Sequence, residues 1–464
     1  MKRRDFISAT AGIAAGTSLI ANPVGAAITQ QNKKRVVLVG TGSRGTSFWG
    51  KRIVDNYSDI VTFVGLCDIN PGRLELAKKY MGIDCPVFTD FDQMIDQTKP
   101  ELIIVTTMDS NHDEFIIKGL EYGVDVLTEK PLTTDEVKCQ AILDAEKRTG
   151  KKCIVGFNVR YATLPTALKE FLITDPVGKI TSVDFHWYLN TYHGASYFRR
   201  WHGEKDKGGT LLVHKATHHF DMLNWLVDSD PVEITAYGDL EHYGKNNSFR
   251  GANCRNCAYT DKCNFYWDIT QDKRSMELYV ANEKYDGYIR DNCLWRDEID
   301  IYDKMSLQIK YANNIIANYS LTTYSPYERW RIAFNGKNGR VESWTGIPWR
   351  AQEKINQAGL HAAEMNQENR GSVDYDEIMV MNNFNPEYKI IKVESARGGH
   401  GGGDARLQDK IFRYPDMPDP LNHAAGTREG AMSCLIGIAA RISIEENRPV
   451  RIEDLVDLNS HPFI

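Results

Sequence analysis

Short apolar runs alternate with amphipathic stretches along the first third of the chain. The runs are rich in Val, Ile and Leu and lack internal polar positions, which is typical of strands buried on both faces of a parallel sheet. They predict strands at residues 36–39, 61–67, 102–107, 124–128 and 152–157, with a helical stretch at 115–122. Repeated βα units of this kind predict an α/β domain with a doubly wound, Rossmann-type parallel sheet at residues 34–157.

The pattern changes after residue 157. Apolar and polar positions alternate in segments rich in β-branched and aromatic residues, which predicts strands with one buried face. These segments are residues 180–189, 232–237, 306–310, 314–323, 330–334 and 339–344. We therefore expect an α+β domain at residues 158–464 with an open, mostly antiparallel sheet. It contains a polar, cysteine-bearing insertion at about 240–300 and a C-terminal helix at about 427–445.

The first 27 residues have the layout of an export signal. Arg3 and Arg4 precede an apolar stretch rich in Ala and Gly, and small residues follow at positions 24–27. Paired arginines in this position indicate the twin-arginine route, which carries folded proteins, and predict a periplasmic location. Both cleavage after Ala26 or Ala27 and retention of the segment as an anchor are compatible with the pattern.

Composition narrows the class of protein. The chain has 464 residues, of which 42% are hydrophobic and 25% charged, as in a globular protein of two or three domains. A formal net charge of -6 shows no basic excess, which argues against a nucleic-acid partner. No apolar run of about 18 residues occurs in the body of the chain, so we expect no integral membrane span in the mature chain.

A glycine motif directly follows the first predicted strand. The sequence Gly40-Thr41-Gly42-Ser43-Arg44-Gly45 fits G-x-G-x-x-G, in which glycines let a pyrophosphate approach the backbone at a helix N-terminus. Asp68 ends the second strand, where a carboxylate can accept hydrogen bonds from ribose hydroxyls and repel a 2′-phosphate. The motif predicts NAD rather than NADP, although Arg44 and Arg73 nearby weaken that preference.

Several motifs together resemble the Gfo/Idh/MocA oxidoreductases, in particular an exported branch. They are the glycine motif, Glu129-Lys130-Pro131 at a strand end, Gly208-Gly209, and His218 with Asp221. The resemblance extends over most of the chain from about residue 34 and is weakest at 240–300 and 345–400. It implies that Lys130 lies beside the nicotinamide and the reacting hydroxyl group, that Pro131 is cis, and that the second sheet forms a homodimer or homotetramer.

Three polar residues recur at helical spacing after the glycine pair. His214, His218 and Asp221 follow i, i+4 and i+7, so we expect them on one face of one helix. The family usually has Asp where this chain has His214. Oxidation of a secondary alcohol needs a group that accepts the hydroxyl proton near neutral pH. We expect His218 in this role first, Lys130 second, and His214 as an orienting or relaying group. A metal site at the two histidines is a weaker alternative because no third ligand accompanies them.

Further candidates lie at strand ends and in two unusual segments. Residues 192–202 combine aromatics, histidines and arginines in a predicted loop, which suits sugar binding, and the alternative is a surface loop. The glycine-rich residues 398–404 surround His400 and resemble a loop of the family's NAD-retaining glycosidases, and the alternative is a flexible linker.

Further cofactor-binding candidates are Thr106, Asn111, His112, Glu129, Lys130 and Trp201. Substrate-binding candidates are Arg160, Tyr192, His193, Arg200, His219, Asp221 and His400.

Four of the nine cysteines form a group of their own. Cys254, Cys257 and Cys263 have the spacing C-x2-C-x5-C within the insertion, and Cys293 is a plausible fourth member. Four thiolates can bind zinc or an iron–sulfur cluster. Two disulfides are the alternative in an oxidising compartment, and free thiols are a third.

These features predict an NAD-dependent oxidoreductase that acts on a secondary hydroxyl group of a sugar or glycoside, typically at C3. Free NAD is not expected outside the cytoplasm, so we expect the cofactor to stay tightly bound and to be recycled in place by a second carbonyl substrate. One alternative is a glycoside hydrolase that uses transient oxidation and elimination. Another is a non-catalytic carbohydrate-binding protein that contains NAD.

Overall fold

The computed structural model describes residues 33–347, 349, 356–359, 361, 375–394 and 399–458. The predicted export signal lies outside these residues, as does Gly398 of the glycine-rich segment. Within the described ranges, every helix is too short or too polar to span a lipid bilayer.

A six-stranded parallel sheet forms the N-terminal domain, in the order β3-β2-β1-β4-β5-β6. Its strands are β1 (Lys34–Val39), β2 (Val61–Cys67), β3 (Val87–Phe88), β4 (Leu102–Val105), β5 (Asp125–Thr128) and β6 (Cys153–Val155). The predicted Rossmann-type sheet is therefore confirmed, and the apolar runs located every strand except the two-residue β3. The strand order reverses between β1 and β4, and ligands of such sheets bind at the carboxyl ends of the strands there.

Helices with identifiable caps connect these strands. They are α1 (Arg52–Tyr57), which continues a wide helical turn at Gly45–Lys51, α2 (Pro71–Met81), α3 (Phe91–Thr98), α4 (His112–Glu121) and α5 (Glu136–Thr149). The side chains of Asn70, Asp90 and Asp135 accept a backbone N–H three residues later and so begin α2, α3 and α5. Gly82 and Gly150 end α2 and α5 with positive φ.

A nine-stranded sheet forms the second domain, in the order β14-β13-β12-β11-β7-β10-β9-β8-β15. Its strands are β7 (Ile180–Asn190), β8 (Pro231–Asp239), β9 (Lys304–Tyr311), β10 (Ile316–Ser325), β11 (Arg329–Gly336), β12 (Gly339–Trp344), β13 (Tyr375–Asn382), β14 (Tyr388–Glu394) and β15 (Val450–Arg451). Every pair is antiparallel except β7 with β10. This confirms the predicted open sheet, and β13 and β14 extend it beyond the strands that the pattern revealed.

Helices of the second domain cover the sheet and lead into the site. They are α6 (Thr163–Leu172), α7 (Thr191–Arg199), α8 (Lys205–Gly208), α9 (Leu211–His214), α10 (Thr217–Val227), α11 (Lys273–Leu278), α12 (Glu283–Asp286), α13 (Gly403–Gln408) and α14 (Thr427–Glu446). The almost wholly buried α14 packs against β8, α9 and α10. The C-terminal helix therefore forms where the periodicity placed it.

Two local predictions were wrong. Most of the expected loop at 192–202 is the helix α7, because the side chain of Asn190 caps it by accepting the N–H groups of Tyr192 and His193. The three polar residues expected on one helix lie on two, since α9 ends at His214 and α10 begins at Thr217. Between them, the N–H of Ala216 bonds to the carbonyl of Leu211 five residues back, which widens the turn and changes the helical phase.

Candidate active site

The glycine loop after β1 leaves room for a ligand on one side only. A Cβ at Gly40 would lie 2.6 Å from the carbonyl oxygen of Thr106, and one at Gly45 would lie 2.2 Å from the carbonyl oxygen of Gly40. At Gly42, the one described atom within 4 Å of an added Cβ is Tyr279 Oη, at 3.9 Å. The loop is thus tightly packed against the protein at Gly40 and Gly45 and is open at Gly42. This leaves space for a dinucleotide pyrophosphate at Gly42.

Asp68 lies at the end of β2, where the sequence placed it. Its Oδ2 accepts hydrogen bonds from the N–H (2.7 Å) and the hydroxyl (2.9 Å) of Thr41. Its Oδ1 accepts from the N–H of Asn70 (2.9 Å) and from Arg73 (3.0 Å). Arg73 also pairs with Asp286 of the insertion at 2.5 Å. The positive charge of Arg73 is therefore shared by two carboxylates.

Arg44 and Glu129 connect the glycine loop to the end of β5. Glu129 Oε1 accepts hydrogen bonds from Arg44 Nε and from Trp49 Nε1, both at 2.6 Å. Burial alone would raise the pKa of Glu129, but the charges of Arg44 and Lys130 and the hydrogen bonds from Arg44 and Trp49 together outweigh it, and the pKa is lowered. Glu129 therefore stays a carboxylate that fixes the backbone leading into Lys130.

Lys130 ends a row of three hydrogen-bonded residues that has His214 at its centre. The Lys130–Pro131 peptide bond is cis, as the resemblance implied. Lys130 Nζ donates to the carbonyl oxygen of His214 (3.0 Å) and lies 3.5 Å from His214 Nε2. His214 Nδ1 in turn contacts Asp109 Oδ2 at 2.5 Å. The order Asp109, His214, Lys130 thus joins three buried ionisable groups from three different parts of the chain.

Burial determines the protonation states of these three hydrogen-bonded side chains. It lowers the pKa of Lys130 to about 8 and lowers that of His214 well below its ordinary value, while it raises the pKa of Asp109. The His214 ring is therefore neutral near pH 7 and carries one ring proton, which the contact with Asp109 places on Nδ1. His214 Nε2 then faces Lys130 as a hydrogen-bond acceptor.

His218 lies on the next helix with one ring nitrogen free. Its ring packs edge-on against Phe157 at 6.0 Å and lies 6.2 Å from the ring of His400, measured between centroids. Its buried Nδ1 has no hydrogen-bond partner in the part of the chain described. Burial, and next the charge of Lys130, lowers the pKa of His218. The side chain is thus a neutral imidazole able to accept a proton.

The glycine-rich segment packs beside this histidine rather than acting as an open linker. His400 Nδ1 contacts Asp404 Oδ1 at 3.1 Å, and the same oxygen accepts a hydrogen bond from Asn158 (2.5 Å). Arg44 lies 3.8 Å from that oxygen and so joins this segment to the glycine loop. The structure therefore brings His400 to the same pocket as His218.

Three predicted substrate-binding residues belong to the protein interior instead, which corrects the sequence interpretation. Arg160 and Asp221 form a two-pronged ion pair at 2.7 and 2.6 Å, with side chains only 4% and 1% exposed. Each is neutralised by the other and presents no charge to a ligand. His219 is fully buried, stacked on Trp187 at 3.7 Å and bonded to the hydroxyl of Tyr319 at 2.6 Å.

Two neighbouring residues in the first turn of α7, Tyr192 and His193, differ from each other in exposure. His193 is buried and is held by Glu328 and by the hydroxyl of Tyr197, each at 3.2 Å. Tyr192 is 47% exposed. The internal contacts of His193 orient α7, so its predicted role in substrate binding is replaced by a positioning role.

His112 and Asn111, two predicted cofactor-binding residues, flank the end of β4. His112 is buried, and its ring nitrogens contact the carbonyl oxygens of Pro131 (2.8 Å) and Thr107 (3.3 Å). Asn111 is exposed beside it. Thr106 donates its hydroxyl to the carbonyl of Gly40 at 2.6 Å, so Thr106 and His112 both hold the backbone of the nucleotide-binding edge.

The sequence reasoning missed two residues of the site. Asp109 follows β4, and its place at the carboxyl end of a predicted strand was the available signal. His202 lies 4.0 Å from the ring of His214 and stacks on Trp201 at 3.6 Å. Trp201, a predicted cofactor-binding residue, is 5.8 Å from His214 and thus lies at this pocket.

The insertion covers part of the glycine loop, which the sequence did not indicate. Tyr279 Oη accepts a hydrogen bond from the N–H of Ser43 (3.0 Å), and Arg274 donates to the carbonyl of Ser43 (3.3 Å). The side chain of Asn70 donates to the carbonyl of Asn282 at 3.0 Å. Together with the Arg73–Asp286 pair, these contacts attach the insertion to both β1 and β2 loops.

The structure brings the four insertion cysteines to one small cavity. Its lining includes Cys254, Cys257, Cys263 and Cys293. All nine cysteines are free thiols, so the disulfide alternative gains no support. In the described residues no group of three or more His, Cys, Asp or Glu is placed to hold a metal ion, so the zinc or iron–sulfur expectation gains none either.

Comparison with known proteins agrees with this geometry. Residues 34–157 match the oxidoreductase family with an NAD-binding Rossmann fold, and residues 169–452 match that family's C-terminal alpha/beta domain. The chain is 32% identical to YteT of Bacillus subtilis, named as an oxidoreductase, over 449 residues that cover 92% of this chain and all of YteT. It is 26% identical to an inositol 2-dehydrogenase/D-chiro-inositol 3-dehydrogenase of Lactiplantibacillus plantarum over 178 residues, which cover 38% of this chain and 48% of that enzyme.

A solved structure shows the same fold at low sequence identity. An oxidoreductase from Agrobacterium radiobacter, in complex with NAD+, L-tartaric acid and magnesium, aligns with a TM-score of 0.62 at 12% identity, covering 92% of this chain and 100% of that one. The two family matches together extend from the glycine loop to the last strand of the second sheet. The chain therefore belongs to the Gfo/Idh/MocA family of oxidoreductases.

Proposed function

We propose that the protein is an NAD-dependent oxidoreductase that oxidises a secondary hydroxyl group of a sugar or glycoside, typically at C3, to a ketone. The observation that carries this proposal is the chain Asp109–His214–Lys130, with His218 beside it, at the edge of the sheet that bears the glycine loop. The names of the inositol dehydrogenase relatives support a secondary hydroxyl group on a polyol ring as the reacting group.

The residues present fit NAD and the proton chemistry. The glycine loop and Asp68 would hold the dinucleotide, which supplies acceptance of a hydride from the carbon that bears the hydroxyl group. Lys130, as a neutral amine, takes the hydroxyl proton, and His214 orients its Nζ. His218 is the second proton acceptor because its Nδ1 is free. When a ketone is reduced, the same groups return the proton.

The surroundings of Asp68 support NAD in preference to NADP. A 2′-phosphate would need a free cation near Asp68. Arg73, the candidate for that role, is already paired with Asp68 and Asp286. A phosphate group would have to displace two carboxylates, so we expect the 2′-hydroxyl form of the cofactor.

We further propose that the cofactor stays bound and is recycled within the site, and that residues 1–27 direct the folded protein to the periplasm by the twin-arginine route. The contacts of the insertion with Ser43 and Asn70 support retention, because release of a dinucleotide from the loop would require the insertion to detach. Assembly as a homodimer or homotetramer through the nine-stranded sheet is part of the same proposal.

Replacing Gly72 by alanine should loosen the cofactor. An added Cβ would lie 1.9 Å from Asn282 Oδ1 and would push the insertion away from α2. Because alanine favours a helix over glycine, the substitution does not weaken α2 itself. We expect wild-type protein to keep its NAD through dialysis and Gly72→Ala to lose it at least tenfold faster, measured by chromatography of the extracted nucleotide. The exposed Glu75→Ala on the same helix is the control, and equal retention in all three proteins would refute the role of the insertion.

Mass spectrometry of products tests the reaction itself. Purified protein without added NAD is incubated with a panel of glycosides, with and without a ketosugar acceptor. We expect an intact glycoside to lose two hydrogens only when the acceptor is present, because a captive cofactor must be reoxidised by a second substrate. Oxidation that occurs only with added NAD would refute the recycled cofactor, and no oxidation of any glycoside would refute the reaction.

A second candidate function is supported by the position of His400. In a glycoside hydrolase of this family type, transient oxidation acidifies a neighbouring C–H, the aglycone leaves by elimination, water adds, and the ketone is reduced again. This series of reaction steps needs an additional acid–base group. His400 is the candidate for that role, because its ring lies 6.2 Å from the ring of His218, measured between centroids. Addition of water with release of the aglycone, irrespective of acceptor, would favour this candidate over the oxidoreductase.

A further inference from the structure

Arg290 is a buried cation that lies against aromatic rings. Its side chain belongs to the insertion, and the residue is only 8% exposed. Its guanidinium lies 5.3 Å from the ring centroid of Trp267 and 5.6 Å from that of Tyr279. Within the described part of the chain it makes no hydrogen bond or ion pair. Burying a guanidinium whose N–H groups have no hydrogen-bond acceptor destabilises the folded protein, unless a ligand supplies the acceptors.

The acid that follows Arg290 in the sequence does not neutralise it. Asp291 is fully buried and accepts from Arg255 Nε at 3.0 and 3.1 Å and from the N–H of Arg255. Arg255 pairs in addition with Glu283. The local carboxylates are therefore committed to Arg255, and the charge of Arg290 remains uncompensated.

A second arginine, Arg200, lies in a segment that Arg296 joins to the insertion: Arg296 donates to the carbonyl oxygen of Arg200 (3.2 Å) and to that of Cys293 (3.3 Å), three residues after Arg290. Arg200 donates through Nε to the carbonyl of Ser196 (2.8 Å), and its remaining N–H groups have no partner among the described residues. Its guanidinium lies 5.0 Å from the ring of Tyr197, and that ring lies 5.4 Å from the ring of His214. Burial, and next the positive charge of Arg290, lower the pKa of Arg200.

The charge balance of the pocket is positive. Burial, and next the positive charges of Arg200, Lys130 and Arg290, lower the pKa of His202. Asp109 is within electrostatic reach of Arg200, but its carboxyl group is bonded to His214. The nearby carboxylates are thus already paired, Glu129 with Arg44 and Asp109 with His214, and a planar carboxylate of a ligand matches the two-pronged hydrogen-bonding geometry of arginine.

We infer that Arg200 and Arg290 bind a carboxylate group of the substrate, so that the sugar oxidised is a uronic acid or its glycoside. This inference rests on the proposed function, because it assigns the substrate class of the same site. Arg200 is positioned by Tyr197 against His214, on the side of Lys130 where the reacting hydroxyl group is expected. The glycine loop and the helix that follows it offer a separate place for the pyrophosphate of the cofactor.

Calorimetric binding to the NAD-containing protein tests the inference directly. The probes are methyl glycosides in matched pairs, neutral sugar against uronic acid, in the gluco, galacto and manno series. We expect at least one uronide to bind at least tenfold more tightly than its neutral partner. Arg290→Gln and Arg200→Gln should each reduce that preference to about twofold or less with an unchanged NAD content. Arg290→Lys, which keeps the charge but not the fork geometry, should retain part of it.

Arg250 provides a matched control for the two arginine variants. Arg250→Gln removes the same charge from the same insertion and should keep the preference, since Arg250 is paired with Asp297 away from the pocket. No preference for a uronide in any series would overturn the inference. Loss of NAD from the Arg200 and Arg290 variants, without loss of preference, would assign the two arginines to the pyrophosphate instead. Product analysis distinguishes the two proposals, since oxidation of neutral glycosides without uronide preference would leave only the proposed function standing.

Discussion

Replacement of Lys130 by methionine should lower the rate of substrate oxidation roughly 10³-fold, the middle of the range for loss of a general acid–base group. Methionine fills a similar volume but can neither donate to His214 nor accept the hydroxyl proton. The substitution also removes a buried cation, so we expect the fold to be retained. Stopped-flow measurement of NADH formation in the bound cofactor follows the chemical step alone. Unchanged NAD content and an unchanged circular dichroism spectrum are the controls.

The pH profile identifies which group acts as the base. The pKa of Lys130 is lowered to about 8, so the amine is protonated and inactive as a base below that pH. Oxidation should rise with pH through about 8 and level off above it, whereas ketone reduction, which needs the ammonium form, should fall through the same range. In Lys130→Met the inflection should vanish. An inflection near pH 8 that persists in this variant would contradict the assignment, and a flat wild-type profile from pH 6 to 9 would point to His218.

Removal of the Asp221 carboxylate should produce the largest loss of stability that the structure indicates. Asp221→Ala leaves the Arg160 guanidinium buried without its two-pronged partner, at an expected cost of about 3–5 kcal/mol in the free energy of unfolding. Denaturant titration of the purified protein measures the change. By comparison, Glu446→Ala breaks the exposed pair with Arg448 and should cost at most about 1 kcal/mol.

A double variant separates charge from packing at this pair. Arg160→Met with Asp221→Leu replaces both ions by apolar side chains, and we expect it to recover most of the stability lost in Asp221→Ala. Recovery would show that the single variant suffers from an unpaired buried charge. A loss below 1 kcal/mol in Asp221→Ala would instead mean that Arg160 finds other acceptors, such as the carbonyl of Asn422 at 3.1 Å.

Local patterns were sufficient for five of the six strands of the first sheet and for the residues that follow those strands at its carboxyl edge. Strands buried on both faces produce apolar runs, and Gly40, Asp68 and Lys130 each follow such a run directly, so sequence order places them at one edge. Asp109 and His214 are separated by 105 positions, and nothing local to either residue reveals their contact. The same holds for Tyr279 and Ser43, which are 236 positions apart.

The predictions for residues near the expected substrate failed for a different reason. Regular helical spacing puts His214, His218 and Asp221 on one stripe, but a single five-residue hydrogen bond at Ala216 changes the phase of the helix. Arg160 and Asp221 have the polarity of binding residues, and only the fold shows that each one neutralises the other. Polar composition alone cannot distinguish a buried ion pair from a ligand contact.

The contacts between the insertion and the glycine loop also determine the order in which the protein can be assembled. The insertion lies about 200 residues after the loop in the chain, yet Tyr279 and Asn282 bond to the backbone and side chain of residues beside β1 and β2. The N-terminal domain must therefore be folded before the insertion can settle on it. A dinucleotide can reach the glycine loop before the insertion covers it, so we expect cofactor loading to be easiest while the protein is still folding.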